Sequence, residues 1–192
     1  HLRLGAAHLA AGPDHWLFLL GLLGLVRGAR RIALAVTAFT AGHAATLTLA
    51  VLGFVHAPER LVETAIAASL VALACELAAR AAAPPGAPRR PSLLRRRPEA
   101  MAFAFGLVHG LGFAGALAEI GLPPGEIPLA LLGFNLGIEA GQLALVAAWL
   151  GLRGLASRLP RWPAGAAPPA LRLLPAYGIG ALGVYWGLDR LF

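Results

Sequence analysis

His8-Leu9-Ala10-Ala11-Gly12-Pro13-Asp14-His15-Trp16-Leu17-Phe18 sets two imidazoles and a carboxylate inside a stretch otherwise made of small, apolar and aromatic residues. An ionisable group in hydrocarbon is costly, so such residues face the interior of a helix bundle and mark a path or a site. The same pattern recurs downstream, where His43, Glu63, Glu76, His109 and Glu139 each interrupt an apolar run. The expected fold is therefore an all-α, polytopic membrane helix bundle with a polar or metal-binding centre.

The opening stretch also predicts its own local structure. On a continuous helix His8 and His15 lie seven residues apart, on one face. Pro13 disfavours continuity, because proline removes a backbone donor and clashes with the preceding turn. Proline suits the first position of a helix, so a second helix is expected to start there, with Asp14 and His15 in its first turn. A helix from Pro13 to Val26 is only about 21 Å long, too short to span alone, so residues 2–12 are expected to fold into the outer part of the bundle. Two imidazoles and a carboxylate suit a borderline divalent ion such as Ni²⁺, Co²⁺ or Zn²⁺. The structural alternative is an N-capping Asp beside two interfacial His.

Composition supports the membrane reading. Hydrophobic residues make up 58% of the 192-residue chain and charged residues 13%, against about 25% charged in an ordinary soluble domain. Mean hydropathy is +0.73. The length fits one domain over residues 1–192. Cys75 is the single cysteine, which excludes an intrachain disulfide, and its apolar surroundings suggest an inert core position. The chain opens at His1, so no targeting segment is legible.

Six spans of about 20 apolar residues are expected, over roughly 4–26, 32–55, 60–82, 100–120, 127–151 and 171–190. The net charge of +7 comes from arginine alone, with no lysine. Thirteen of the 16 Arg fall in or beside alternate loops, and only Arg3, Arg60 and Arg190 lie on the other side. That asymmetry points to the positive-inside rule rather than to nucleic acid, and predicts both termini outside. The Pro- and Arg-rich stretch 84–98 divides the chain into two groups of three helices, and 160–169 is a similar linker.

The halves read as a 3+3 inverted repeat. Gly5-x-x-His8 opens one and Gly106-x-x-His109 the other. In the second helices His43-Ala-Ala-Thr-Leu-Thr-Leu aligns with Glu139-Ala-Gly-Gln-Leu-Ala-Leu, each preceded by Phe39 or Phe134. Inverted repeats commonly build transporters with the site at the repeat interface.

Further candidates follow from spacing. Thr40, His43 and Thr46 share a broad face of the second helix. Asn135, Glu139 and Gln142 fall at i, i+4 and i+7, a polar stripe that reads either as interhelical hydrogen-bonding glue or as a coordinating face. His109 sits among Gly106, Gly110 and Gly112, which allow another backbone to come close. Glu63 lies near the outer end of the third helix, Glu76 near its inner end, and Glu119 near the outer end of the fourth.

These residues resemble the HupE/UreJ family of membrane proteins, in its shorter second branch. The shared pieces are His8-x5-Asp14-His15, Phe39-Thr40-x-x-His43, Val62-Glu63 with Ile66 and Ser69, Phe105-Gly106-Leu107-x-His109-Gly110, and Phe134-Asn135-x-Gly137-x-Glu139-x-Gly141-Gln142. They cover five of the six expected helices, in order. The resemblance implies a secondary permease or facilitator for nickel or cobalt, serving hydrogenase and urease assembly. It implies His8, Asp14, His15, His43, Glu63, His109 and Glu139 as metal-site residues; Glu76, Asn135 and Gln142 are secondary candidates by their own placement in apolar helices.

The expectation is an inner-membrane transporter for a divalent transition metal, with zinc and copper also compatible. His8, Asp14 and His15 would form an outer entry, and His43, His109 and Glu139 a deeper relay. The expected partners are the lipid bilayer, the metal ion and a periplasmic metal-delivery protein, with no nucleic acid. The alternatives are a non-transporting membrane metal-binding protein and a haem-binding one. A further alternative, an intramembrane metallohydrolase, is disfavoured because the chain lacks a His-Glu-x-x-His sequence, and no enzyme is expected.

Overall fold

Gly12 interrupts the first apolar run. Its backbone is extended, with φ −87° and ψ 99°, and its N–H closes the preceding turn on the His8 carbonyl at 2.9 Å. The structure is a computed structural model that describes residues 1–83, 92, 96–113, 125–158 and 169–192. Most of the stretch 84–98, nearly all of the linker 160–169, and Glu119 with the later part of the expected fourth span lie outside the described residues.

Among the described residues there are seven helices and no strand: α1 (Leu2–Ala11), α2 (Pro13–Leu25), α3 (Ala29–Val51), α4 (Glu59–Ala82), α5 (Pro98–Gly112), α6 (Ile127–Ala156) and α7 (Pro169–Leu191). The expected first span is thus two helices, with Pro13 at the start of the second. Trp16 Nε1 donates to the Ala10 carbonyl at 3.2 Å and ties α2 to α1 across the break. Gly28 holds φ +94° at the turn into α3, a conformation that favours glycine. The second span starts and ends a few residues earlier than expected, because 52–55 form a turn with Gly53 at φ +78°. The fifth is longer, since 152–156 continue α6 through Gly154 with no proline among them.

Three of these helices, α3, α4 and α6, are individually long and apolar enough to cross a membrane. Their outward faces are apolar too. Leu129, Leu132 and Leu136, about one turn apart on α6, are all exposed. Cys75 is likewise exposed on α4 rather than buried in the core. The interior is built on Phe18 stacked on Phe39 at 4.6 Å, with Leu22, Val36, Leu70, Leu73 and Ala102 around them.

The tightest helix pairs are α3 with α5, α4 with α7 and α1 with α6, and α3 also packs on α6. Reciprocal glycines set two of these contacts. A Cβ on Gly42 would strike the Phe103 carbonyl, and one on Gly106 the Phe39 carbonyl. In the same way a Cβ on Gly137 would strike the Leu2 carbonyl, and one on Gly5 the Phe134 carbonyl. Small residues let backbones close together where lipid offers no hydrophobic drive between helices.

One end of the bundle gathers arginines. Arg80 donates to the Gly24 carbonyl and, at 3.0 Å, to the Leu25 carbonyl, satisfying backbone acceptors at the end of α2. Arg27, Arg80 and Arg172 line a shared cavity of about 470 Å³ there. Glu76, one turn before Arg80, accepts a hydrogen bond from Ser92 Oγ at 2.6 Å.

Candidate metal centre

Four short stretches of chain supply the centre. His8 lies in the last turn of α1, and Asp14 and His15 open α2 immediately after the Gly12 break. His43 sits within α3, and His109 in the last turn of α5. The break turns His15 back toward His8, so their ring centroids are 5.0 Å apart. The Gly106 and Gly110 contacts draw α5 onto α3 beside His43, and His109 is buried there, 5.4 Å from the His15 ring.

Asp14 faces two of these imidazoles. Its Oδ1 is 3.2 Å from His15 Nδ1, and its Oδ2 is 3.5 Å from His109 Nδ1. His109 Nε2 is 3.4 Å from Ser69 Oγ. His43 is fully buried, with its Nδ1 3.1 Å from Asn135 Oδ1. Asn135 Nδ2 donates to the Leu131 carbonyl at 2.8 Å, which fixes which end of the amide meets the ring.

The donors fall into two groups, each with one ligand atom per residue and all atoms within 4.8 Å of one another: His8 with His15 and His43, and Asp14 with His15 and His109. The Nε2 atoms of His8, His15 and His43 are buried without a hydrogen-bond partner, as is His109 Nδ1. Buried polar atoms are normally satisfied, so four nitrogens in one place without a hydrogen bond call for an explanation. Imidazole nitrogens and a carboxylate suit a divalent transition-metal ion, which would satisfy them together. Phe113, 4.0 Å from the His8 ring between centroids, and Phe134, stacked on Phe113, wall the group on one side.

A cavity of about 140 Å³ opens on this cluster, lined by His8, Asp14, His15 and His109 together with Glu63, Trp186 and Arg190. Glu63 does not join the donor groups. Its carboxylate is paired with Arg190 Nε at 3.1 Å, at the cavity wall.

The other candidates have different work. Glu139, expected in a deeper relay with His43 and His109, belongs to neither donor group and accepts from Thr37 Oγ1 at 2.5 Å. Gln142 Oε1 accepts from Thr40 Oγ1 at 3.2 Å. The polar stripe of α6 therefore meets α3 at three points through Asn135, Glu139 and Gln142, as interhelical glue, and only Asn135 touches a ligand candidate. Glu76 is bonded to Ser92 near the Arg-rich end, outside the cluster.

Arg190 and Trp186 escaped the sequence reading. In sequence Arg190 figures only among the three arginines on the poorly charged side, and no spacing rule links it to Glu63, 127 positions earlier. A basic residue on the poorly charged side of the bundle was the only available signal.

Long apolar helices with apolar outward faces around a buried imidazole–carboxylate cluster define a helical membrane protein with a centre suited to a divalent cation. The chain belongs to the HupE / UreJ protein family, whose sequence profile matches residues 1–190, essentially its whole length. No curated protein and no solved structure matches it.

Proposed function

We propose that the protein is a permease for a divalent transition-metal ion, nickel or cobalt by family, which passes through the His8, Asp14, His15, His43 and His109 cluster. The observation that carries this reading is the set of buried imidazole nitrogens without a hydrogen bond, Nε2 of His8, His15 and His43 and Nδ1 of His109, around the Asp14 carboxylate and next to a cavity. A binding centre in a conduction path must release what it takes up. Donors split between two small groups, rather than gathered in one closed shell, suit that need.

On this reading the chain makes six passes of the inner membrane as a 3+3 inverted arrangement, with both termini outside. The reciprocal glycine contacts support the repeat, because α1 on α6 matches α5 on α3 when Gly5 is equated with Gly106 and Gly42 with Gly137. His8 then corresponds to His109, whereas His43 corresponds to Ile138 and not to Glu139. The orientation is supported by Arg27, Arg80 and Arg172 around one cavity, and by the Arg asymmetry of the loops. The ion is cargo, and we read the chain as a carrier rather than an enzyme. A haem-binding role is disfavoured by size, since the cavity is about 140 Å³ and pockets for larger ligands run from about 300 Å³ upward.

The test is uptake of Ni²⁺, Co²⁺, Zn²⁺ and Cu²⁺ into proteoliposomes, comparing wild type with His15→Ala. Saturable uptake of one metal that His15→Ala abolishes is expected, and names the substrate. Tight stoichiometric binding with no uptake of any metal would make the protein a holder or receptor for metal.

A further inference from the structure

His15 belongs to both donor groups, and it is the only residue that does. Its Nδ1 faces Asp14 Oδ1 at 3.2 Å, while its Nε2 is buried and unpartnered. The two nitrogens of an imidazole point in diverging directions, so one ion takes only one of them at a time. The neighbours divide the same way. His43 commits Nδ1 to Asn135 and leaves Nε2 without a partner, as His8 does, and both residues share a donor group with His15. His109 has Nε2 near Ser69 and turns Nδ1 toward Asp14.

Resting on the transport reading, we propose that the centre is two overlapping stations for one ion, with His15 as the ligand that passes it between them. The outer station is the Asp14 carboxylate with Nδ1 of His15 and of His109, all on the cavity. The inner station is three imidazole nitrogens, Nε2 of His8, His15 and His43, with His43 fully buried and away from the cavity wall. A neutral imidazole carries one N–H. With the ion on Nδ1 the proton is on Nε2 and blocks the inner station. With the ion on Nε2 the proton is on Nδ1 and is donated to Asp14. The two states use the two neutral tautomers of the ring, so on each nitrogen the ion and the proton exclude one another. Two divalent ions on one ring would also repel each other, so the stations are filled in turn. The stations differ in chemistry, one holding a carboxylate and the other nitrogen alone, so a spectroscopic ion reports which is occupied.

The experiment uses Co²⁺ as probe with the full chain, in detergent for binding and in proteoliposomes for uptake. His43→Gln and His109→Gln are each expected to bind one Co²⁺ per chain, with visible spectra that differ from each other. Each is expected to lose uptake by at least about tenfold, as loss of a metal-site group does. His15→Gln is expected to lose binding. Asp14→Asn, which keeps the side-chain shape, is expected to share the spectrum of His109→Gln, which guards against misfolding of either variant. Loss of binding in both His43→Gln and His109→Gln, to the extent seen in His15→Gln, would show one joint site and overturn the proposal. So would two Co²⁺ per wild-type chain, or full uptake in either single variant. If wild type neither binds nor transports Co²⁺, the transport reading itself falls; if wild type does both and only the variants disagree, the two-station arrangement alone falls.

Discussion

Asn135→Leu tests whether the second ring nitrogen of His43 sets its readiness for metal. Asn135 Nδ2 is held by the Leu131 carbonyl at 2.8 Å, so its Oδ1 must face His43 Nδ1 at 3.1 Å. An amide oxygen only accepts, so His43 carries its proton on Nδ1 and leaves the lone pair on its buried, unpartnered Nε2 for a metal ion. Leucine keeps the volume and removes the acceptor. A buried, unpaired N–H costs roughly 1–3 kcal/mol. The ring escapes that cost by moving its proton to Nε2, which blocks the metal position. Outer partners of metal-ligating His typically contribute about 10–100-fold in affinity, or about 1.4–2.7 kcal/mol. Equilibrium dialysis of Co²⁺ against the purified chain is therefore expected to show Kd raised by about that factor in Asn135→Leu. Asn135→Asp supplies an acceptor and a charge, and is expected to bind at least as tightly as wild type while releasing more slowly. If Asn135→Leu keeps Kd within about twofold of wild type, with helical content unchanged, His43 is not tuned this way and the reasoning fails.

Arg190→Gln removes the cation that neutralises Glu63 at the cavity wall; the KM for Co²⁺ uptake is expected to fall several-fold, and a rise would mean that the pair props the cavity open instead. Glu139→Gln touches only the Thr37 contact, so Co²⁺ affinity is expected to stay within about twofold, and a large loss would return Glu139 to the metal site. Protons compete with a metal ion for imidazole nitrogens and carboxylate oxygens. Co²⁺ affinity is therefore expected to fall as pH is lowered, and affinity that rises toward acid pH would exclude an imidazole site. Gly106→Ala drives a Cβ into the Phe39 carbonyl and is expected to destabilise the α3–α5 pair by about 1–3 kcal/mol, read as an earlier thermal transition in detergent; an unchanged transition would mean that the helices separate freely.

The apolar runs made the helical membrane class readable from sequence alone, because hydrocarbon tolerates few alternatives to helices. The same background made His8, Asp14, His15, His43 and His109 stand out, since an imidazole or carboxylate is conspicuous among Ala and Leu. Gly12-Pro13 likewise announced a helix break, because proline's steric limits are local. What spacing does not contain is the identity of the facing helix. Glu139 and Glu63 looked like equals of Asp14 in sequence, yet Thr37 and Arg190 engage them while Asp14 meets two imidazoles. A helical period fixes which residues share a face of one helix, and nothing in it says what another helix presents across the gap. Tertiary packing alone decided that His15 stands between two donor groups, that Asn135 rather than Glu139 reaches His43, and that Arg190 closes the wall beside Glu63. Those contacts depend on how closely helices approach, which glycines far apart in the chain, such as Gly42 and Gly106, set together.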